Sequence, residues 1–522
     1  MIGFVKQTME DIIGKLPCEK KIFGNLKDIP VTGIVFDSRE VKPGNIFVAF
    51  KGERFDGHEY IKKAIDRGAG AIVGIKKIED ITIPYIQVKD SRFAMAHLAA
   101  AFYDYPGRKM MVIGVTGTEG KTTTSSIIYE ILLAARLRAG IISTVSAVFG
   151  DESLDTGLHV TTPEAIDVQR YLSRMLVSGI SHVVLETTSH GLDQHRVTGC
   201  EFDVGVVTNI THDHLDYHGT YEEYQKAKGK LFEHLGETQD KESGNPRLSI
   251  LNKDDQSFQY LKTISSGKII TYGLVKGNVD LWAENIELKP SGLFFDAVSK
   301  EFRLPISCKL IGDYNLYNCL AAIGATRYGA NIELEDIQAG IASLKGVSGR
   351  MEQINLGQKF MAIVDFAHSP NALVRSLESI RKITSGRIIT VFGSAGLRDH
   401  EKRGLMAEVS LRLADLTILT AEDPRTESLS MILEQMSEGA NREGGKEGVN
   451  YWRVPDRGDA LRFAVKQANP GDVVVTLGKG HEQSMCFGEI EYPWDDRTAL
   501  RAALSEYLGI SGPEMPSLPQ EN

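Results

Sequence analysis

The run Gly117-Thr118-Glu119-Gly120-Lys121-Thr122-Thr123 places two glycines, a lysine and three hydroxyl side chains at a spacing suited to phosphate. Backbone N–H groups at a helix start converge on an anion, a lysine reaches the terminal phosphates, and the next hydroxyl suits magnesium. The full Walker spacing asks for a glycine where this chain has Val115, so the loop takes the shorter GxxGKT form. A helix cap with an exposed lysine would account for Gly120 but not for the whole heptapeptide. The run also follows a strand-like segment, Met110 to Val115, and opens a segment whose Ile127, Ile128, Ile131 and Leu132 share one helical face. Chemistry on a nucleoside triphosphate is the expectation.

Further along, His182-Val183-Val184-Leu185-Glu186 ends a strand on a carboxylate, where ligands of open α/β sheets gather. A lone glutamate there is as easily a solvated strand end, but Thr188, His190, Gln194 and Arg196 follow closely. A second strand, Val204 to Val207, leads through Thr208-Asn209 to His212-Asp213-His214-Leu215-Asp216-Tyr217-His218. That spacing matches no helical zinc motif and no cysteine accompanies it, so magnesium beside the phosphate loop is the better reading. The last third carries Asp365-Phe366-Ala367-His368-Ser369-Pro370, which reads as a strand end and a proline-started helix. It also holds three charged segments of both signs: Arg398-Asp399 with Lys402-Arg403, Glu422-Asp423-Pro424-Arg425, and Gly478-Lys479-Gly480-His481-Glu482.

These residues need a scaffold. At 522 residues the chain exceeds one hydrophobic core and calls for roughly three or four domains. Hydrophobic residues at 42% and charged residues at 25% fit a globular protein. A net charge of -10 argues against a nucleic-acid-binding body. No signal-like or membrane-spanning stretch is found, so the expected location is cytoplasmic, with no membrane partner. The five cysteines are scattered and read as small buried hydrophobes.

Short β-branched runs alternate with helix-period segments in three blocks. The first contains Ile34-Val35-Phe36 and Ile46 to Phe50 and ends near Tyr105-Pro106-Gly107; the third starts near Gly349-Arg350. Its strand candidates, Ala362 to Val364, Ile388 to Phe392, Leu416 to Leu419 and Val473 to Leu477, predict a doubly wound sheet. Domains at 1–108, 109–346 and 347–522 are expected. The tail after Ser511, rich in proline, reads as loose.

Taken together, these motifs resemble the Mur ligase family nearly end to end, and within it the branch that forms UDP-N-acetylmuramoyl-tripeptide. Phe36-Asp37-Ser38-Arg39, Pro43-Gly44, Phe47-Val48-Ala49 and Asp56-Gly57-His58 look like its UDP-binding module, and the heptapeptide is similar to its GTNGKTT, with Glu119 replacing asparagine. The resemblance implies an α/β fold of three domains: a UDP-substrate domain, a central P-loop-type ligase domain with a mostly parallel sheet, and a Rossmann-like C-terminal domain. It implies ATP at Gly117 through Thr123, with Asn315, Arg350, Asp365 and His368; Asn318 shares the Asn315 segment. Thr161 and Thr162, following Val160 where the family often has asparagine, resemble its UDP-muramoyl-dipeptide segment, with Ser38, Thr188, Gln194 and Arg196 joining them. Glu186 and His214 correspond to magnesium ligands together with Thr122, and Lys228 falls on the lysine that the family carbamylates. A carbamate turns a cation into a carboxylate-like ligand where two magnesium ions gather. From residue type alone, Lys228 reads as a solvated helix lysine.

Arg398, Glu422 to Arg425, Gly478 and Glu482 are then the expected amino-acid site. An incoming diamino acid with a distal carboxylate, such as meso-diaminopimelate, needs a guanidinium fork and an anion for its ammonium. The family's DNPR accompanies diaminopimelate; here the tetrapeptide is Glu422-Asp423-Pro424-Arg425. The retained arginine favours diaminopimelate, and the added carboxylate suits L-lysine. The implied reaction phosphorylates the D-glutamyl γ-carboxylate of UDP-N-acetylmuramoyl-L-alanyl-D-glutamate and lets an amine displace phosphate, with Lys121, Glu186, His214 and Lys228 as the catalytic set. Water must be kept out, so domain closure is expected. A monomer is expected. The rival readings are another Mur-like ligase, such as a folylpolyglutamate synthase, and a nucleotide-binding scaffold without ligation.

Overall fold

The computed structural model describes residues 7–52, 55–78, 80–145, 147–150, 152–154, 162–211, 213, 215–242 and 244–519. Thr161 and His214, and with them Val160 and His212, lie outside the described residues. The chain forms two compact units, Met1–Trp282 with Val298–Phe302 and Tyr317–Gly340, and Ala283–Ala297 with Arg303–Leu316 and Ile341–Asn522.

The first unit holds two sheets. Strands β1 (Lys20–Phe23), β2 (Gly33–Val35), β3 (Asn45–Val48), β4 (Ala71–Gly74) and β5 (Tyr85–Val88) order as β1-β5-β4-β3-β2. All neighbours are parallel except β1 with β5. Side chains alternate across β3: Ile46 and Val48 face one apolar cluster with Met9, Ile12 and Leu98, and Phe47 faces another with Ile61 and Tyr85. Burial on both faces explains why its strands read as unbroken apolar runs.

Next come β6 (Met111–Thr116), β7 (Ala139–Ile142), β8 (Ala147–Phe149), β9 (Glu152–Leu154), β10 (His182–Glu186), β11 (Val204–Val207), β12 (Leu248–Asn252) and β13 (Lys268–Gly273). The order β13-β12-β11-β6-β10-β7 is parallel throughout, and β8 and β9 extend it antiparallel. All six parallel strands therefore end at one edge, which carries the phosphate loop after β6, Ser143-Thr144 after β7, Glu186 at the end of β10 and Thr208-Asn209 after β11. A meander of β14 (Leu281–Lys289), β15 (Gly292–Ser299) and β16 (Arg303–Cys308) is shared out between the two units.

In the second unit, β17 (Glu352–Gln353), β18 (Met361–Asp365), β19 (Ile388–Phe392), β20 (Leu416–Leu419), β21 (Tyr451–Arg453) and β22 (Val473–Leu477) order as β17-β18-β22-β19-β20-β21. Only β17 is antiparallel. The charged segments again follow strand ends: Asp365 closes β18, Glu422 follows β20 and Gly478 follows β22. A separate hairpin, β23 (Ser484–Phe487) and β24 (Ile490–Pro493), completes the unit.

The mostly parallel α/β architecture is the one expected, and five interior strands have their expected bounds. Two expectations are corrected. The tail is not loose: Met515 and Leu518 pack against the core of the second unit, because apolar side chains between prolines can still bury area. Of the cysteines, which form no disulfide among the described residues, Cys200, Cys308 and Cys319 are buried, whereas Cys18 and Cys486 are partly exposed.

Candidate functional site

The phosphate loop is shaped by its glycines. Gly117 has φ +151 and Gly120 φ +80. A Cβ at Gly117 would stand 1.9 Å from Thr208 Oγ1, and one at Gly120 2.4 Å from Asn318 Oδ1, so neither place admits a side chain. Helix Lys121–Ala134 starts from Gly120 with no side-chain cap among the described residues, so the positive end of its dipole faces the loop. The loop is braced from below: Thr118 N donates to Asn209 O at 2.7 Å, and Glu119 N to Asn209 Oδ1 at 3.1 Å. Thr118 Oγ1 meets Tyr224 OH at 3.1 Å, and Thr122 and Thr123 are buried in the first turn. Lys121 folds its ammonium onto the carbonyls of Gly117 (3.0 Å) and Thr118 (2.8 Å), a cation parked over the loop.

Beside it the Glu186 carboxylate is buried and held by three donors. Thr122 Oγ1 (3.0 Å) and Thr144 Oγ1 (2.9 Å) reach Oε1, and Thr144 N reaches Oε2 at 3.0 Å. The strand end is thus no solvated terminus. Lys228, on helix Tyr221–Glu237, is 1% exposed and donates to Gly117 O at 2.7 Å, which corrects its reading as a solvated lysine. Burial, then repulsion from Lys121, hold its pKa well below the usual lysine value, against attraction from Asp213 and Glu186. A depressed pKa leaves a larger fraction of neutral amine, which is the form that adds to carbon dioxide.

Among the described residues no group of three or more His, Cys, Asp or Glu could hold a metal. The donors present, one hydroxyl and one carboxylate at the mouth of a phosphate cradle, fit magnesium, which takes one or two carboxylates and completes its shell with phosphate and water.

Next to Glu186, Thr162 Oγ1 contacts Glu186 O (3.3 Å) and Thr188 Oγ1 (3.1 Å), while Thr188 caps the short helix Ser189–Asp193 through Gly191 N. Arg196 reaches Thr162 O at 2.8 Å, Gln194 Oε1 at 2.9 Å and Glu164 at 3.1 Å. Thr162, Thr188, Gln194 and Arg196 therefore form one polar cluster; Ser38 is buried in the loop after β2, a strand of the unit's other sheet.

In the second unit Asp365 accepts from Met351 N (3.1 Å) and Ser376 Oγ (2.5 Å). The Arg350 guanidinium lies 4.4 Å over the Phe366 ring, and exposed His368 contacts Phe366 O at 3.0 Å. Asn315 turns inward, its amide donating to Ile311 O at 2.7 Å, whereas in the first unit Asn318 receives Thr124 Oγ1 and backs Gly120.

The charged segments meet at the strand ends. Arg457, fully buried with Asp496 (2.6 Å), donates to Ala421 O and Leu477 O and so ties the ends of β20 and β22 together. Above that tie Glu422 is buried; burial pushes its pKa up to about 7, and its Oε2 has no hydrogen-bond partner among the described residues. A Cβ at Gly478 would stand 2.1 Å from that atom. Asp423 and Arg425 both have positive φ, 40 and 56. The Arg398 loop is stapled to them: Gly396 N donates to Asp423 O at 2.9 Å, a Cβ at Gly396 would meet Pro424 O, and Glu427 joins Leu397 N to buried Arg403. Arg398 itself is exposed, and Glu482 pairs with Lys479 at 2.5 Å.

Sequence reasoning missed Thr144, Asn209, Tyr224 and the part played by Lys479. Thr144 and Asn209 each stand two residues beyond a strand on the ligand-bearing edge, which is the signal that could have found them.

Three family models match: "Mur ligase family, catalytic domain" over residues 30–103, "Mur ligase middle domain" over 115–326, and "Mur ligase, glutamate ligase domain" over 349–480. The chain is 41% identical over 476 residues to a UDP-N-acetylmuramoyl-L-alanyl-D-glutamate--2,6-diaminopimelate ligase of Geobacillus thermodenitrificans, covering 91% of this chain and 95% of that one. It is 40% identical over 490 residues to a UDP-N-acetylmuramyl-tripeptide synthetase of a Roseiflexus species, covering 92% and 96%. A solved UDP-N-acetylmuramoyl-L-alanyl-D-glutamate--2,6-diaminopimelate ligase superposes with TM-score 0.69 at 28% identity, covering 97% of this chain and 100% of that one.

Proposed function

The chain belongs to the Mur ligase family and is an ATP-dependent, magnesium-using ligase, and we propose that it adds meso-diaminopimelate to UDP-N-acetylmuramoyl-L-alanyl-D-glutamate through an acyl phosphate. The observation that carries the ligase reading is the buried Lys228 amine, 2.7 Å from the Gly117 carbonyl beneath the phosphate loop. A scaffold or switch has no use for a buried, depressed-pKa amine there. A ligase that needs a further anionic metal ligand does.

A carboxylate is a poor acyl donor because its leaving group would be oxide; phosphorylation replaces that with phosphate. In this reading Lys121 swings from the Gly117 and Thr118 carbonyls to the terminal phosphates and offsets the charge that builds on them. Thr122, Glu186, His214 and carbamylated Lys228 would hold two magnesium ions, which supply Lewis-acid stabilisation of the transferring phosphoryl group. Thr144 keeps the Glu186 carboxylate aimed at Thr122. Arg350, Asp365, His368 and Asn315 serve the nucleotide side. Thr161, Thr162, Thr188, Gln194, Arg196 and Ser38 hold the muramoyl substrate, Arg196 acting from a position already fixed by Thr162 and Gln194. Arg425, Arg398, Glu422 and Glu482 receive the amino acid, whose amine attacks the acyl phosphate as phosphate leaves.

Domains at 1–108, 109–346 and 347–522 belong to the same reading, which is supported by the three family matches falling one within each. Among the described residues no helix is long and apolar enough to cross a membrane. We place the enzyme in the cytoplasm as a monomer, where ATP and UDP-linked precursors are found. ADP release should require both the UDP-muramoyl-dipeptide and meso-diaminopimelate, with L-lysine a poorer substrate. ATP hydrolysis indifferent to both would sink the proposal.

A further inference from the structure

The tetrapeptide Glu422-Asp423-Pro424-Arg425 has an acidic residue where an ammonium-bearing substrate could be met, but the surroundings of Asp423 give that carboxylate another task. Asp423 is 6% exposed, and Lys479 Nζ stands 3.0 Å from each of its oxygens. Cys486 N donates to Oδ1 at 2.9 Å. Lys479 is itself fully buried and pairs on its other side with Glu482 at 2.5 Å. Burial opposes its charge, but Glu482 and Asp423 outweigh that and raise its pKa, so it stays an ammonium and needs its counter-ions.

Cys486 links this ion cluster to Arg425. Its N–H is held by the Asp423 side chain, and its carbonyl accepts from Arg425 N at 3.0 Å. Gly488 N closes the grip on Arg425 O at 2.7 Å, and Arg425 pairs with Phe487 as an isolated parallel bridge. Asp423 by its side chain and Arg425 by its backbone thus grasp the same hairpin, β23–β24. Both residues have left-handed φ, which L side chains keep only where the surroundings impose it.

We propose that Asp423 is a positioning residue: it clamps Lys479 and the Cys486 N–H, pins hairpin β23–β24 to the loop that presents Arg425, and does not bind the distal ammonium of the incoming amino acid. An acid at this position then does not redirect the enzyme to lysine. Selection of the distal carboxylate stays with Arg425. The inference rests on the amino-acid site proposed above, with Arg425 as the group in it that meets the distal carboxylate.

The test uses the full-length enzyme with Asp423→Asn and Asp423→Ala. Each is assayed with meso-diaminopimelate and with L-2-aminopimelate, which keeps the distal carboxylate and lacks the distal ammonium; 2-aminopimelate is followed as substrate and as competitor. Misplacing Arg425 should raise KM for both amino acids by a common factor, about tenfold or more for Asp423→Ala, with kcat changed far less. Asp423→Asn should lose less, because its carbonyl still accepts from Cys486 N. The kcat/KM ratio between the two amino acids should stay within about twofold of wild type, and KM for ATP should not move. A selective loss of meso-diaminopimelate with 2-aminopimelate spared would place Asp423 on the ammonium and overturn the inference. So would a lowered Tm with every KM unchanged, the signature of a purely structural residue. If Asp423→Ala does not fold, the near-isosteric Asp423→Asn gives the same ratio. Failure of the underlying reading looks different: wild type would prefer L-lysine, or Arg425→Ala would leave meso-diaminopimelate use intact.

Discussion

Replacing Thr144 by valine keeps the shape of the side chain and the backbone N–H but deletes the hydroxyl that donates to Glu186 Oε1 at 2.9 Å. Glu186 retains Thr122 Oγ1 at 3.0 Å and Thr144 N at 3.0 Å, so the fold should survive and the loss should be local. A hydrogen bond to a charged acceptor contributes about 1.5–3 kcal/mol, which corresponds to roughly ten- to a hundredfold in an equilibrium constant. The carboxylate is buried, so solvent offers little replacement. If Glu186 is a magnesium ligand, that free energy should appear in metal use. Initial rates of ADP release measured across magnesium concentrations should show apparent magnesium affinity weakened at least about tenfold, with KM for the amino acid unchanged. Thr144→Ser, which keeps the hydroxyl, should fall near wild type. Magnesium titrations of Thr144→Val that superimpose on wild type would refute the assignment of Glu186 as a metal-holding carboxylate steered by Thr144.

Three further outcomes follow from the same geometry. Enzyme prepared free of carbon dioxide should be nearly inactive and recover on adding bicarbonate, whereas Lys228→Arg should be inactive under both conditions; activity indifferent to bicarbonate would argue against the carbamate. Gly120→Ala should abolish ATP binding by calorimetry, since its Cβ would stand 2.4 Å from Asn318 Oδ1 at φ +80; retained affinity would show the loop is not the nucleotide cradle. His234 concerns stability. Burial, then His195, lower its folded pKa to about 4, while the unfolded imidazole titrates near 6.5. Between those values the unfolded chain binds more protons, so stability falls as pH drops from about 6.5 toward about 4, by up to roughly 3 kcal/mol from this residue. The Tm of His234→Phe should decline less over that window, and parallel declines would remove His234 from the cause.

Much of this was readable because the sheets put their ligands at one edge. A β-branched run ending in a polar residue marks a strand end on the sheet's C-terminal edge, which is why Glu186 was singled out from spacing, whereas Asp365 and the segment from Glu422 took their expected roles from the family resemblance. Lys228 shows how far periodicity could have gone further. Tyr224, Ala227, Leu231, Phe232 and Leu235 form the buried stripe of helix Tyr221–Glu237, and Lys228 stands on it, whereas Lys226 on the same helix is exposed and pairs with Glu223. Residue type suggested solvent; helical position pointed inward. Thr144 carries no such periodic signal, because it lies in a loop and gains its meaning from a carboxylate 42 residues away. Asp423 was ambiguous for a related reason. Its charge was legible, but its partners Lys479 and Cys486 are brought to it only by the return of the chain through β22 and β23. The tail after Ser511 misled in the opposite sense, since its prolines obscured the two apolar side chains that anchor it.

By the function proposed here, this chain joins meso-diaminopimelate to a UDP-muramoyl-dipeptide at the expense of ATP. Mass spectrometry of the product from purified enzyme, ATP, magnesium, UDP-N-acetylmuramoyl-L-alanyl-D-glutamate and an equimolar mixture of meso-diaminopimelate and L-lysine tests it in one reaction. The expected species is the UDP-substrate heavier by one diaminopimelate less one water, formed in step with ADP and lost in Arg425→Ala. A product heavier by lysine less water, or ADP formed with no heavier nucleotide at all, would contradict the account.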